Sequence, residues 1–568
     1  MSASLHVALV RLAAWLAIIL LGVPVAAGLA GVIAPAFGWL PALGGHEPTL
    51  EHWQALTRRP GLAGMVALSY ASGLASAALA LAIVALFIGV FLHSRWFGAV
   101  QRLLSPLLAV PHAAAAIGLA FLLSPSGLVS RWLSPWASGW QFPPNYLFPG
   151  DPYGLALILG LTLKEVPFLL LMSLAALPQC RARERMRVAR ALGYRPLAGF
   201  LKAVMPGLYP LLRLPLYAVI AFASSTVDVA LILGPSTPPP LAVAVMRWLN
   251  DPDLAMRFMA SAGALLQFAV TLTALASWWL LERLVARALR DWPGDGRRRF
   301  GERVGALLGG GAIGLVVVLV LASLAGLILW SLAAYWPFPE AWPQPLTPRN
   351  WLRGAGGFVD PLAQAALIGG VATLIALVLV TGALEAETFR HRPPRAGVQW
   401  LLYLPLLVPS VAFLFGLVLM QTQAGLTPGL AAVIGGHAIF VLPYVFLSLA
   451  ESYRRLDPRW TQLARSLGAS PAGVFWRVRL PLLTTPLLTA AAVGFAVSIG
   501  QYLPTLLLGA GRISTITTEA VTLASGGDRR LTAVYALLQL LLPALGFALA
   551  LGLPRLLLRR RAGLLSRP

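Results

Sequence analysis

The chain has 568 residues, 58% of them hydrophobic and 11% charged, with 43 Lys and Arg against 20 Asp and Glu and a formal net charge of +23. Soluble domains carry about 25% charged residues, so this composition excludes an ordinary soluble protein and points to repeated membrane spans. The single cysteine, Cys180, excludes an internal disulfide and a cysteine-ligated metal cluster; beside a basic stretch, its plainer reading is a bystander thiol.

Apolar runs long enough to cross a ~30 Å hydrocarbon core recur along the whole length. In the first half they predict spans at 8–32, 66–92, 103–123, 154–178, 207–234 and 258–282. In the second half they predict spans at 304–333, 363–384, 400–423, 429–450, 482–509 and 532–557. Backbone groups in lipid must be satisfied within their own segment, and these runs are too long and apolar for barrel strands. The expected fold class is therefore an all-α polytopic membrane protein of about twelve transmembrane helices. Val25-Ala26-Ala27 resembles a signal-peptide cleavage site, but the apolar run continues past it, so a retained helix is expected.

The charges are not spread evenly. The N-terminus and the segments 93–102, 179–206, 283–303, 385–399, 451–480 and 555–568 hold 31 Lys and Arg, whereas the alternate segments hold 10. That is the positive-inside pattern. It predicts a multi-pass topology with both termini and the basic segments cytoplasmic. It also assigns the net charge to topology, which removes the case for a nucleic-acid partner.

Two of the basic segments carry the same pattern. Ala189-Arg190-Ala191-Leu192-Gly193 is followed by Pro196, Phe200, Lys202 and Pro206; Ala464-Arg465-Ser466-Leu467-Gly468 is followed by Pro471, Phe475, Arg477 and Pro481. Every matched position is offset by 275 residues. Residues 179–192 and 455–467 are helix-compatible, and Gly193 and Gly468 stand where a helix ends in a left-handed conformation. Ser470 is a natural N-cap and Pro471 a natural first helical residue. The expected shape is helix, sharp turn and short helix, with Phe200 and Phe475 projecting from the second helix and a proline at the return to the membrane. A generic basic loop explains one such copy but not eight matched positions at constant spacing.

The repeat extends into the spans. Pro106, Pro111 and Gly118 mirror Pro405, Pro409 and Gly416, and Ser173-Leu174-Ala175 aligns with Ser448-Leu449-Ala450. Pro167 and Pro443 match to within one residue. The two halves are expected to be parallel six-helix repeats, because both basic loops face one side. The paired prolines are expected to kink their helices.

The twin pattern resembles the EAA loop of type I ABC importer permeases, and each half resembles one complete permease of the fused branch that includes iron(III)- and thiamine-type importers. The resemblance implies a first unit at 1–290 with a coupling loop at 179–206, a basic cytoplasmic linker at 291–303, and a second unit at 304–568 with a coupling loop at 451–481. It implies that Ala189, Leu192, Gly193, Phe200 and Pro206, with Ala464, Leu467, Gly468, Phe475 and Pro481, form two helices seated in cytoplasmic ABC ATPase subunits, two copies in all. It also implies a bacterial inner membrane, with a periplasmic solute-binding protein delivering a small solute from the other side. The acidic residue that names the motif is missing: Arg187 and Gln462 stand in its place, with Glu184 one turn away.

The chain carries no Walker A loop; its only lysines, Lys164 and Lys202, lie outside any such context. No catalytic constellation or metal-ligating set is visible among the seven scattered histidines. The expectation is a transport subunit with no cofactor of its own, ATP and Mg being used by the partner. Polar residues within spans mark candidate pathway positions: Asp228 and Gln501 in related places of the two halves, and Lys164-Glu165 before Pro167. Interhelical hydrogen bonding is the alternative for all four, and His437 reads as structural. A twelve-helix secondary transporter of the major-facilitator type remains the alternative function, although His93–Arg102 does not fit that family's basic loop motif. A membrane enzyme is the third reading, and no nucleophile, metal or acid–base set supports it.

Overall fold

A computed structural model of the chain describes residues 3–104, 110–390 and 396–557. The first half consists of α1 (Ala3–Ala36), α2 (Leu62–Phe91), α3 (His112–Leu123), α4 (Leu155–Ala176), α5 (Ala182–Ala191), α6 (Met205–Ser225), α7 (Asp228–Leu233), α8 (Leu241–Leu249) and α9 (Met256–Ala288). The second half consists of α10 (Glu302–Leu332), α11 (Arg349–Arg390), α12 (Ala396–Leu407), α13 (Ser410–Gln423), α14 (Leu430–Arg454), α15 (Pro458–Ser466), α16 (Thr484–Ile499), α17 (Leu503–Gly509), α18 (Ile516–Ala524) and α19 (Arg529–Leu557). Among the described residues, ten helices are long and apolar enough to cross a membrane, or up to twelve if each of two bent helix pairs counts as one span. The protein is an all-α, multi-pass membrane protein.

The halves are not packed as separate bundles. Helix α1 lies against α11 and α13 of the second half, and α10 lies against α2 and α3 of the first. Each half thus lends its first helix to the other. Small residues make both crossings possible. A Cβ on Gly416 would stand 1.7 Å from the Gly28 carbonyl oxygen, and one on Gly28 would stand 2.0 Å from that of Phe413. In the mirrored crossing a Cβ on Gly118 would stand 2.9 Å from that of Ser323. Without side chains the backbones approach closely, as small residues allow at helix interfaces in lipid. The matched Gly118 and Gly416 mark these crossings.

Several predicted spans are broken rather than kinked. The run 400–423 divides at Pro409 into two helices bent by 88°. Proline lacks an N–H and disfavours helical geometry in the residue before it, so the ladder stops there. In the mirrored run 103–123 the crossing helix starts only at His112, after Pro111; Pro106 lies outside the described residues. The run 207–234 ends its long helix at Ser225 and restarts at Asp228, and 482–509 ends at Ile499 and restarts at Leu503. The segments 235–257 and 510–531, expected as outer connections, carry the short helices α8 and α18. Every residue of α8 except Arg247 is buried. Charge counting registered their arginines but not this apolar insertion.

Candidate functional site

The two basic loops share one end of the helical body. The first adjoins the C-terminal end of α2 and the N-terminal end of α10: Phe200 packs beneath Gly89, and Glu302 reaches the loop backbone. The second adjoins the pseudo-equivalent ends of α11 and α1, where Arg479 meets Glu385 and His6 faces Phe475 at 5.6 Å.

Each loop has the same backbone. Helix α5 closes with the Gly193 N–H on the Arg190 carbonyl and the Tyr194 N–H on the Ala189 carbonyl; α15 closes with Gly468 on Arg465 and Ala469 on Ala464. Gly193 and Gly468 sit at φ +82 and +80, where a Cβ is penalised. Short helices restart at Pro196 and at Pro471, the latter capped by the Ser470 hydroxyl on the Gly473 N–H at 3.2 Å. Both then widen into a π-helical turn, Phe200–Val204 and Phe475–Arg479, closed by N–H groups of Met205 and Leu480 on the carbonyls of Phe200 and Phe475. The prolines that follow, Pro206 and Pro481, explain the widening: a proline ring clashes with the carbonyl four residues back. The first loop runs helically into α6, whereas the second breaks after Leu482 and meets α16 at a bend of 73°.

The side chains correct one expectation for the loops. Phe200 is fully buried and Phe475 half-buried, so both rings hold their loops from beneath and do not project outward. The exposed large apolar groups are Val188 and Leu192 on the first loop, and Trp460, Leu463, Leu467 and Trp476 on the second. Val188 pairs with Leu463, and Leu192 with Leu467, at the same 275 offset. Sequence reasoning passed over Val188 and Leu463, although i, i+4 apolar spacing on a basic helix is their signal. Ala189 is buried and Ala464 half-buried. Glu184 is exposed on α5, 4.0 Å from Arg181.

The anchors beneath the loops differ. The first loop is clamped by the segment joining the halves. The Glu302 carboxylate accepts from the Leu197 and Ala198 N–H groups at 3.0 and 3.1 Å, a favourable place for negative charge at a helix start. The Arg195 N–H bonds the Arg298 carbonyl, and Lys202 pairs with Asp295 while its ammonium lies 5.1 Å from the Trp292 ring. Lys202 and the Arg297 N–H hold the Asp295 carboxyl below its ordinary value. The linker 291–303 is thus part of the loop platform. A groove of about 420 Å³ between them is lined by Val188, Leu192, Tyr194, Lys202 and Pro293. The second loop has no such strap among the described residues. It is held by the Arg479 guanidinium, 2.5 Å from the buried Glu385 carboxylate and bonded to Thr388, and by Arg454 on Glu387 at 3.0 Å. Tyr453 donates to the same Glu385.

Near the first loop, burial and then the charges of Arg190, Arg183 and Arg187 keep His93 below its usual imidazole value. Burial pushes the Cys180 thiol up, away from the reactive thiolate.

In the interior, Asp228 and Gln501 stand at the two matched helix breaks. The Thr226 hydroxyl donates to Asp228 at 2.9 Å, and the Gln501 amide donates to the His437 carbonyl at 3.3 Å. Across the halves, Tyr502 of the second break lies within electrostatic reach of Asp228. Lys164 donates to the Val110 carbonyl at 2.5 Å, while Glu165 faces His112 at 3.7 Å and lies in the field of Tyr444 of the second half. The structure thus brings all four polar candidates into the inter-half region but divides their partners. His437 is buried between the hydroxyls of Ser498 and Thr505 at 2.7 and 2.8 Å, an arrangement that suits the structural reading.

Residues 378–562 match the family model described as binding-protein-dependent transport system inner membrane component. The chain is 34% identical over 508 residues to the inner membrane ABC transporter permease protein YnjC of Escherichia coli, covering 88% of this chain and 90% of that one. It is 31% identical over 181 residues to the molybdenum transport system permease protein ModB of Mycobacterium tuberculosis, covering 29% of this chain and 68% of that one. It is 26% identical over 218 residues to the putative 2-aminoethylphosphonate transport system permease protein PhnV of Salmonella typhimurium, covering 38% of this chain and 81% of that one.

Proposed function

Since the chain belongs to the inner-membrane permeases of ABC transport systems, we propose that it is a fused, two-repeat translocation subunit of a type I importer, coupled through its two basic loops to ATPase subunits that bind ATP and Mg. The units are 1–290 and 304–568, with 291–303 bracing the first loop. The observation that carries this reading is the duplicated loop, with left-handed glycine, π turn and exposed apolar pair all repeated at one offset. A partner groove that receives one loop would receive the other. In this reading the loop end and both termini face the cytoplasm, and a periplasmic binding protein meets the opposite end. The solute passes between the halves beside Asp228 and Gln501, because broken helices carry polar backbone at membrane depth only where they line a cavity or are buried in protein.

The resemblance to iron(III)- and thiamine-type permeases stands beside relatives named for molybdenum and 2-aminoethylphosphonate transport, and the proposal commits to a small polar solute. The test is transport in proteoliposomes. Uptake should require the ATPase and ATP, and cysteines placed at Leu192 and Leu467 should cross-link to the ATPase. Uptake driven by an ion gradient without an ATPase would instead establish a secondary transporter.

A further inference from the structure

At the end opposite the basic loops, the two halves enclose a cavity of about 270 Å³. Phe121 and Ser124 at the end of α3 line one side, and Gly526, Gly527 and Arg529 line the other. Ile232 of α7, one turn beyond Asp228, also lines it. The space is below the range of pockets for drug-sized ligands, so its occupant is small.

The polar groups here are unequally used. Arg131, nearby, is spent on the fold: it donates to the carbonyls of Ser126, Pro337, Glu340 and Trp336. Arg530 is paired with Asp528 at 3.2 Å. Arg529 makes one hydrogen bond, from Nη1 to the Ser126 carbonyl at 3.0 Å, and otherwise rests against the rings of Phe121 and Trp330 at 5.6 and 5.4 Å. Its Nε and Nη2 have no hydrogen-bond partner among the described residues. Ser124, which also lines the cavity, is only 6% exposed, and its hydroxyl is buried without a partner. A buried hydroxyl without a partner is costly, and a guanidinium offers paired donors in a plane. The glycines keep the entrance free of side chains; a Cβ on Gly527 would meet nothing within 4 Å.

We propose that this cavity is a seat for a small oxyanion, held by the free edge of Arg529 and the Ser124 hydroxyl, at the outer mouth of the route between the halves. The chemistry is that of a tetrahedral or carboxylate oxyanion, either as a free ion or as the acidic group of the transported solute. The proposal rests on the importer reading only for the direction of travel, and binding is tested without the ATPase, so the two stand or fall separately.

The experiment is calorimetric titration of the full chain in nanodiscs, in low-chloride buffer, with sulfate, phosphate and molybdate as probes. Saturable binding of at least one probe is expected. Ser124→Ala and Arg529→Gln should each weaken it by ~10-fold or more, the scale of a lost hydrogen bond to a charged group. Arg530→Gln should leave it within about twofold, since that guanidinium is already paired. Ser124→Ala separates the reading from a structural one, because removing an orphan hydroxyl should not lower thermal stability. Absence of saturable binding by all three probes overturns the seat, as does binding that either substitution leaves within twofold of wild type. Radiolabelled probe accumulating in ATP-energised proteoliposomes identifies the bound ion as cargo. Binding without accumulation identifies a fixed site for a free ion or for the acidic group of a different solute.

Discussion

Gly468 offers a test in which conformation can be separated from contact. The residue sits at φ +80, and a Cβ built there would meet nothing within 4 Å. Any side chain therefore fits, and the cost of substitution is backbone strain alone. That strain is ~1–2 kcal/mol for an ordinary L-residue held in the left-handed region, and up to ~3 kcal/mol for a poorly suited one. If the turn must form for the loop to dock, Gly468→Ala should weaken binding of the ATPase subunit by ~5–30-fold, since 1.4 kcal/mol is tenfold. Gly468→Val should weaken it further, because a β-branched side chain is least suited to positive φ. Gly468→Asn should remain within a few-fold of wild type, because asparagine tolerates the left-handed region. Affinity for the partner ATPase is measured by surface immobilisation of the permease in nanodiscs, with thermal unfolding as the folding control. Equal affinities across the four proteins would refute a docking role for the turn. Asparagine as damaging as valine would refute the strain argument and indicate a clash with the partner.

Three further outcomes follow from the packing. Gly416→Ala places a Cβ 1.7 Å from the Gly28 backbone, which no rotamer relieves; it should destabilise the protein at or above the upper end of the ~1–3 kcal/mol typical of overpacking, and an unchanged melting temperature in detergent would contradict the exchanged-helix crossing. Arg479→Met leaves Glu385, 2% exposed in its side chain, without its cation; breaking a buried pair from one side costs ~3–5 kcal/mol, so hydrogen exchange in 455–482 should rise, whereas protection equal to wild type would sink the anchoring role. Lys202→Met should release the linker at neutral pH, seen as faster exchange in 291–303. The sign of the pH effect is fixed by the depressed Asp295 carboxyl: its stabilisation is present above the unfolded value of about 3.9 and is lost as pH falls through the lower folded value. The wild-type linker should therefore stay protected from pH 6 to 8 and loosen only below about pH 4, after correction for intrinsic exchange rates; loosening near pH 6 would refute the pairing.

The family comparison agrees with the membrane class and with a transport subunit, which composition and the twin loop had already indicated. Both rest on quantities that are local in sequence. A span is read from its own apolar run, because lipid demands that each segment satisfy its own backbone. The turn at Gly193 and Gly468 is read from a residue type that alone adopts positive φ at little cost. The 275-residue offset needs no structure at all, and Asp228 and Gln501, which fall close to that offset, were placed in related positions before their helices were known to break there.

What the tertiary structure decided concerns which surfaces meet. Hydropathy cannot tell a lipid-facing leucine from one facing another helix, since both environments are apolar. The exchange of α1 and α10 between halves was therefore invisible, although Gly28 and Gly416 carry it. For the same reason Phe200 was read as a projecting ring, and only its place beneath Gly89 showed that Val188 and Leu192 hold the exposed positions. The linker read as a basic tether because seven positive charges lie between 283 and 303; that Glu302 and Asp295 fasten it to the first loop depends on distances no spacing encodes. The free edge of Arg529 and the partnerless Ser124 lie 405 positions apart in the chain, and only the packing of one half against the other brings them to a single cavity.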